Sequence, residues 1–188
     1  SRPPLPAAKA HGDEAHPVRN DERPFIVGIG ASAGGLEALR LLLPGLPKNL
    51  GLSYVVVQHL SPTYRSMMSQ LLGRETTMPV RDIEDGMLPE PNTVYITPPN
   101  RNLTLVAGHF RLVEPARESL PKPSVNRFFA SLAEEVGEST IGIILSGTGS
   151  DGAAGIHAIK AAGGFTFSQD PETAKYNGMP QSAIDTGS

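Results

Sequence analysis

Short apolar runs, each followed by an amphipathic stretch, set the pattern of this chain. Phe25–Ile29, Tyr54–Val57 and Ile141–Leu145 are mostly β-branched and lack polar alternation, as strands covered on both faces do. Leu36, Leu39, Leu42 and Leu43 then mark a helix that stops at Pro44-Gly45. Tyr64–Leu72 and Ala153–Ala162 predict two more, the latter ending at Gly163-Gly164, and Val125, Phe128, Phe129, Leu132 and Val136 place a fourth over Ser124–Val136. Phe165–Phe167 reads as a further strand. The middle differs: Val94–Ile96, Leu103–Val106 and Phe110–Val113 are short alternating runs, the last two separated by Ala107-Gly108-His109. They predict an antiparallel excursion attached to the parallel sheet. Asn177-Gly178-Met179-Pro180 reads as a turn with proline at a helix start. The expected fold class is α/β, a doubly wound, mostly parallel sheet with an antiparallel hairpin.

Composition narrows the classes. With 188 residues and 39% hydrophobic content, the chain suits one domain with a real core. Residues 1–24, rich in proline, alanine, histidine and charge, read as a disordered or extended polar linker, leaving 25–188 as the domain. This linker has no apolar core of a secretory signal, and no apolar run approaches membrane-spanning length, so cytoplasm is the expected location. The formal charge of −3 gives no electrostatic reason to expect nucleic acid or insertion into an anionic membrane. The absence of cysteine excludes thiolate catalysis, and no histidine or acid cluster has metal-ligand spacing, so neither metal nor cofactor is expected.

The candidate chemistry sits at strand ends. Gly28-Ile29-Gly30-Ala31-Ser32-Ala33-Gly34-Gly35 puts Ser32 on a tight turn opening a helix, the second strand ends in Gln58-His59, and the third runs into Ser146-Gly147-Thr148-Gly149-Ser150-Asp151-Gly152. Ligands bind open α/β sheets beyond the carboxyl ends of the strands, so Ser32, His59 and Asp151 belong on one edge. Serine, histidine and an acid are what nucleophilic acyl chemistry needs: a hydroxyl, an imidazole to take its proton, and a carboxylate to orient the ring. Each also has a plainer use. Ser32 can cap the helix it precedes, Asp151 can cap the next one, and His59 can be a locally bonded strand-end residue. Gly28-x-Gly30-x-x-Ala33 also fits a dinucleotide-binding pattern, although Gln58-His59 stands where that fold carries an acid. His109 falls in the hairpin turn, His157 on a helix, and His11 and His16 in the linker. Arg81–Gly86 reads as a solvated acidic turn.

Taken in order, Gly30-Ala31-Ser32-Ala33-Gly34-Gly35, Gln58-His59, Val94-Tyr95-Ile96-Thr97-Pro98, Ser146–Gly152 and Gly178-Met179-Pro180 resemble the catalytic domain of the chemotaxis receptor methylesterases, the CheB family. The resemblance runs from about Pro24 onward. It implies hydrolysis of glutamyl γ-methyl esters on chemoreceptors, with glutamine deamidation in some members. It casts Ser32 as nucleophile, His59 as general base and acid, and Asp151 as orienting carboxylate. Backbone donors near Ala33 and Gly34, with Thr148 and Gly149 across the site, would hold the oxyanion and substrate. Two positions depart from the usual motif, Ala33 replacing threonine and Thr148 replacing methionine. The variant's wording is similar to methylesterase domains of large fusions with methyltransferase-like or kinase domains, which implies a longer polypeptide continuing past residue 188. With only the linker before Phe25, control by a receiver domain in the same chain is not expected. The expected partner is a methylated chemoreceptor or related signalling protein. A different class also stays open: a regulatory binding module with little turnover.

Overall fold

The computed structural model describes residues 25–59, 65–114 and 123–188. The start of the second predicted helix at Tyr64 and the linker 1–24 lie outside the described residues. Six parallel strands form the main sheet: β1 (Ile26–Ala31), β2 (Ser53–Gln58), β3 (Val80–Asp82), β4 (Thr93–Ile96), β7 (Thr140–Ile144) and β8 (Phe165–Ser168), in spatial order β3-β4-β2-β1-β7-β8. Two further strands, β5 (Asn102–Val106) and β6 (His109–Val113), pair antiparallel in a sheet of their own. The helices are α1 (Gly35–Leu42, running into a short 3₁₀ turn), α2 (Arg65–Gly73), α3 (Val125–Glu135), α4 (Ala153–Ala161) and α5 (Gly178–Asp185).

Two hydrophobic layers sandwich the sheet. Val27, Ile29, Tyr54, Val56, Val94 and Ile96 meet Leu39 and Leu43 of the α1 segment and Met68 and Leu72 of α2. On the opposite face, Ile26, Val55, Val57, Tyr95 and Ile144 meet α3, α4 and α5, with Leu103, Leu105 and Phe110 of the hairpin closing that layer. The alternation within each strand is therefore between two apolar environments, which is why the sequence shows continuous apolar runs. The excursion is smaller than its sequence pattern predicts. Val94–Ile96 belongs to β4, buried on both faces between β3 and β2, because its alternation separates two cores rather than core from water. β3 was not expected at all. Its three residues, Val80-Arg81-Asp82, lie at the sheet edge with two side chains exposed, so they show no apolar period, and part of the expected acidic turn is in fact this strand.

The first glycine pattern serves packing. A methyl on Gly28 would lie 2.6 Å from Phe129 Cε1, and one on Gly30 2.5 Å from Val125 Cγ1. The bare strand lets α3 settle close against β1, which brings its N-terminus to the edge that carries Asp151. The strand order places the topological switch point at β1: the chain runs outward to β2 on one side, and β7 and β8 fill the other. A crevice is expected beyond the carboxyl ends of β1 and β7.

Candidate active site

Ser32 follows β1 directly and is 5% exposed. Its carbonyl accepts the Gly35 N–H (2.9 Å), closing a four-residue turn whose third position, Gly34, has φ 75° and ψ 0°. That left-handed conformation favours glycine, and a methyl there would also lie 2.5 Å from Ser146 Oγ. The same Ser32 carbonyl accepts Gln58 Nε2 from below (2.7 Å), while the Ser32 N–H donates to Ser146 O (3.0 Å). The turn is thus tied to both neighbouring strand ends. Gly34, not Ser32, is the N-cap of α1, and it makes no side-chain cap bond. The Ser32 hydroxyl instead accepts the Thr148 N–H at 2.9 Å. Gly147 leaves room for this approach, since a methyl there would lie 2.6 Å from Ser32 Oγ.

His59 continues β2, its N–H held by Ala31 O (3.1 Å). Its Nε2 lies 2.9 Å from Asp151 Oδ2. Asp151 does not cap the helix it precedes; the N-cap of α4 is Gly152. It adds instead to the start of α3, whose N-cap is Ser124, with Oδ2 accepting the Val125 N–H (2.8 Å) and Oδ1 the Asn126 N–H (2.9 Å). Asn126 returns the service: its Oδ1 accepts the N–H groups of Gly152 (2.9 Å) and Gly155 (2.8 Å) at the start of α4. Each helix therefore satisfies the other's orphan donors, and the carboxylate is locked between them. Burial pushes the Asp151 carboxyl up, but the bonds from His59, Asn126 and Val125 outweigh it and hold the group below the usual carboxylate range. An ionised carboxylate against Nε2 favours the tautomer carrying its proton there. That leaves Nδ1 as the ring atom able to accept a proton.

The sequence-predicted residues meet at one edge, with different degrees of involvement. His59 and Asp151 are bonded; Ser32 and Thr148 are bonded; among the described residues the Ser32 hydroxyl makes no hydrogen bond to His59. Catalytic bonds of this kind commonly tighten only with substrate in place. Ala33 and Gly34 offer N–H groups with no acceptor among the described residues, next to the Thr148 N–H. Gly149, at φ 80°, packs against Gly178. The Ala33 and Thr148 side chains are exposed, so the two departures from the usual motif leave the backbone donors untouched.

Ser146, Asn126, Gln169 and Tyr176 were not predicted as site residues. The buried Ser146 hydroxyl donates to Ala33 O (2.8 Å), with Tyr176 O as the longer alternative acceptor (3.3 Å), and accepts the Tyr176 N–H (3.0 Å), while the Ser146 backbone N–H is held by Gln169 Oε1 (2.9 Å). Only Ser146 carried a signal, its place in the second glycine motif. The others act through contacts between segments far apart in the chain. Among the described residues, no group of three or more histidine or acidic side chains could hold a metal ion.

The family model for the CheB methylesterase matches residues 27–188. A protein-glutamate methylesterase/protein-glutamine glutaminase of Carboxydothermus hydrogenoformans is 38% identical over 169 residues, covering 86% of this chain and 49% of that protein. One from Desulfitobacterium hafniense is 34% identical over 167 residues, covering 86% and 43%. An uncharacterised 104.1 kDa protein of Rhodobacter capsulatus is 45% identical over 120 residues, 64% of this chain and 12% of that protein. The chain thus spans about half or less of these curated relatives. The crystal structure of the Thermotoga maritima CheB methylesterase catalytic domain superposes with a TM-score of 0.83 at 36% identity, covering 88% of this chain and 89% of that one.

Proposed function

This chain belongs to the CheB methylesterase family, and on that premise we propose that it hydrolyses glutamyl γ-methyl esters on a chemoreceptor-like protein through Ser32, His59 and Asp151. The observation that carries the reading is the 2.9 Å His59–Asp151 bond beside a buried serine that caps nothing. Ser32 Oγ attacks the ester carbonyl as His59 Nδ1 takes its proton. The Asp151 carboxylate stabilises the imidazolium that forms. The N–H groups of Thr148, Ala33 and Gly34 receive the developing oxyanion, an arrangement commonly worth about 3–4 kcal/mol per donor. His59 then protonates the departing methoxide, and methanol leaves an acyl-enzyme. Water repeats the sequence, releasing glutamate and restoring the Ser32 hydroxyl. The names of the relatives extend the proposal to glutamine side chains, where ammonia leaves in place of methanol.

A methylated signalling protein is the partner this reading requires. Among the described residues no helix is long and apolar enough to cross a membrane, and the reaction is assigned to the cytoplasm. The 104.1 kDa relative, of which the match covers 12%, supports placement within a larger multidomain protein. The test is methanol release from a methyl-esterified receptor fragment by this domain and by Ser32→Ala. Release that vanishes in the mutant establishes the esterase. A folded protein that releases none from several esterified fragments returns the site to the binding-module reading.

A further inference from the structure

Two buried side chains grip carbonyl groups of the nucleophile turn and leave the serine hydroxyl alone. Gln58 is 4% exposed, and its Nε2 donates to Ser32 O at 2.7 Å. A carbonyl oxygen only accepts, so the amide nitrogen is the atom that faces it. The other amide atom, Oε1, is buried with no hydrogen-bond partner among the described residues. A buried unpaired acceptor lowers stability, so a side chain kept for packing alone would be apolar. Gly35 makes the space: a methyl there would lie 2.5 Å from Gln58 Oε1 and 2.9 Å from Nε2. Ser146, equally buried, holds the next carbonyl. Its hydroxyl accepts the Tyr176 N–H (3.0 Å) and donates to Ala33 O (2.8 Å), the nearer of two acceptors. Among the described residues no other donor reaches Ala33 O.

Each of these carbonyls belongs to a peptide unit whose N–H stands in the site. The Ser32 carbonyl shares a planar unit with the Ala33 N–H, and the Ala33 carbonyl shares one with the Gly34 N–H. In a trans peptide the C=O and N–H point in opposite directions. What holds the oxygen therefore sets the direction of the hydrogen. The Ser32 unit is held by two donors, Gln58 Nε2 and the Gly35 N–H (2.9 Å). The Ala33 unit is the central peptide of the turn, the one whose half-rotation separates type I from type II. Gly34, at φ 75° and ψ 0°, has the type II conformation, and the Ser146 bond holds the peptide in that state. A bond to the oxygen also polarises the unit and strengthens its N–H as a donor.

We propose that Gln58 and Ser146 are positioning residues for the reaction. Gln58 aims the Ala33 N–H, and Ser146 aims the Gly34 N–H. These are the groups assigned to the oxyanion beside the Thr148 N–H. Both side chains act through the turn, below the point where the ester is attacked. The inference rests on the esterase reading, which gives the two N–H groups an oxyanion to receive.

The test compares wild type with Gln58→Met, Ser146→Ala and Ser146→Thr. Residual dipolar couplings report the directions of the Ala33 and Gly34 N–H bonds. Gln58→Met is expected to turn the Ala33 bond and Ser146→Ala the Gly34 bond, while Ser146→Thr, which keeps the hydroxyl, turns neither. In steady-state methanol release, Gln58→Met and Ser146→Ala are each expected to lose about tenfold or more in kcat with KM within about twofold. A misaimed oxyanion donor weakens the transition state and not the bound ester. Ser146→Thr is expected to keep most of kcat. Couplings unchanged in both Gln58→Met and Ser146→Ala, or a loss carried by KM with kcat intact, overturn the assignment. Each substitution tests its own peptide, so a variant that fails to fold leaves the other decisive. Wild type that releases no methanol removes the esterase reading, while the couplings still decide whether these side chains set the N–H directions.

Discussion

A serine at the end of a strand can cap the next helix or attack a carbonyl, and the bonds of Ser32 separate the two uses. Its hydroxyl accepts from Thr148 across the site and does nothing for α1, whose N-cap is Gly34. Ser32→Ala therefore removes one acceptor from an N–H at an exposed residue that water can reach, a loss of no more than about 1 kcal/mol. The expected result is a melting temperature within a few degrees of wild type together with a fall in methanol release of roughly a thousandfold or more. A large drop in melting temperature would show that Ser32 holds the fold as well. The proposed oxyanion donors are backbone groups, so Ala33 and Thr148 depart from the usual motif without removing them. The sequence pointed to Ser32, His59 and Asp151 through residue type and strand-end position. It did not reveal which atoms pair, because that depends on side-chain directions set by neighbouring segments.

Between elements, the decisive arrangement is the exchange of caps between α3 and α4. Asp151 stands before α4 yet adds to the start of α3, and Asn126 stands in α3 yet caps the start of α4. Asn126→Ala is expected to cost about 1–2 kcal/mol, as the loss of a helix cap does, and to lower kcat by loosening the loop that holds Asp151. Urea unfolding and steady-state kinetics check the two effects. Gly30→Ala approaches the same point from the sheet: a methyl 2.5 Å from Val125 Cγ1 pushes the α3 N-terminus outward. Overpacking of this kind costs about 1–3 kcal/mol, and here it also displaces the Val125 N–H from Asp151. Unchanged stability and kcat would mean that α3 is free to shift without consequence. Neither coupling was legible in the sequence. Gly28-x-Gly30 reads locally as a ligand-binding pattern, and only the packed helix reveals its steric purpose. The long amphipathic helices were legible because their period repeats over several turns, whereas β3 offered three residues and no repeat.

Across the whole molecule, the carboxylate between the two helices links stability to pH. The folded-state value of Asp151 is lowered, so its contribution is fully present above the unfolded carboxylate value, about 3.9. It is lost as pH falls through the lowered folded value. Unfolding midpoints measured from pH 6 down to pH 2 should fall for wild type, and Asp151→Asn should flatten that dependence; identical slopes would remove Asp151 as a source of acid sensitivity. The same scale shows what sequence alone decided. Apolar runs, helical periods and glycine-rich turns are local properties, so the α/β class, most of the helices and the candidate residues for the chemistry could be read from the chain. Strand order, the parallel placement of β4, the swapped caps and the pairing of His59 with Asp151 and of Ser32 with Thr148 came only from the tertiary structure. Ser32 and His59 stand 27 positions apart and His59 and Asp151 stand 92 apart, and what brings them together is the burial of two apolar layers against one twisted sheet, which no local pattern encodes.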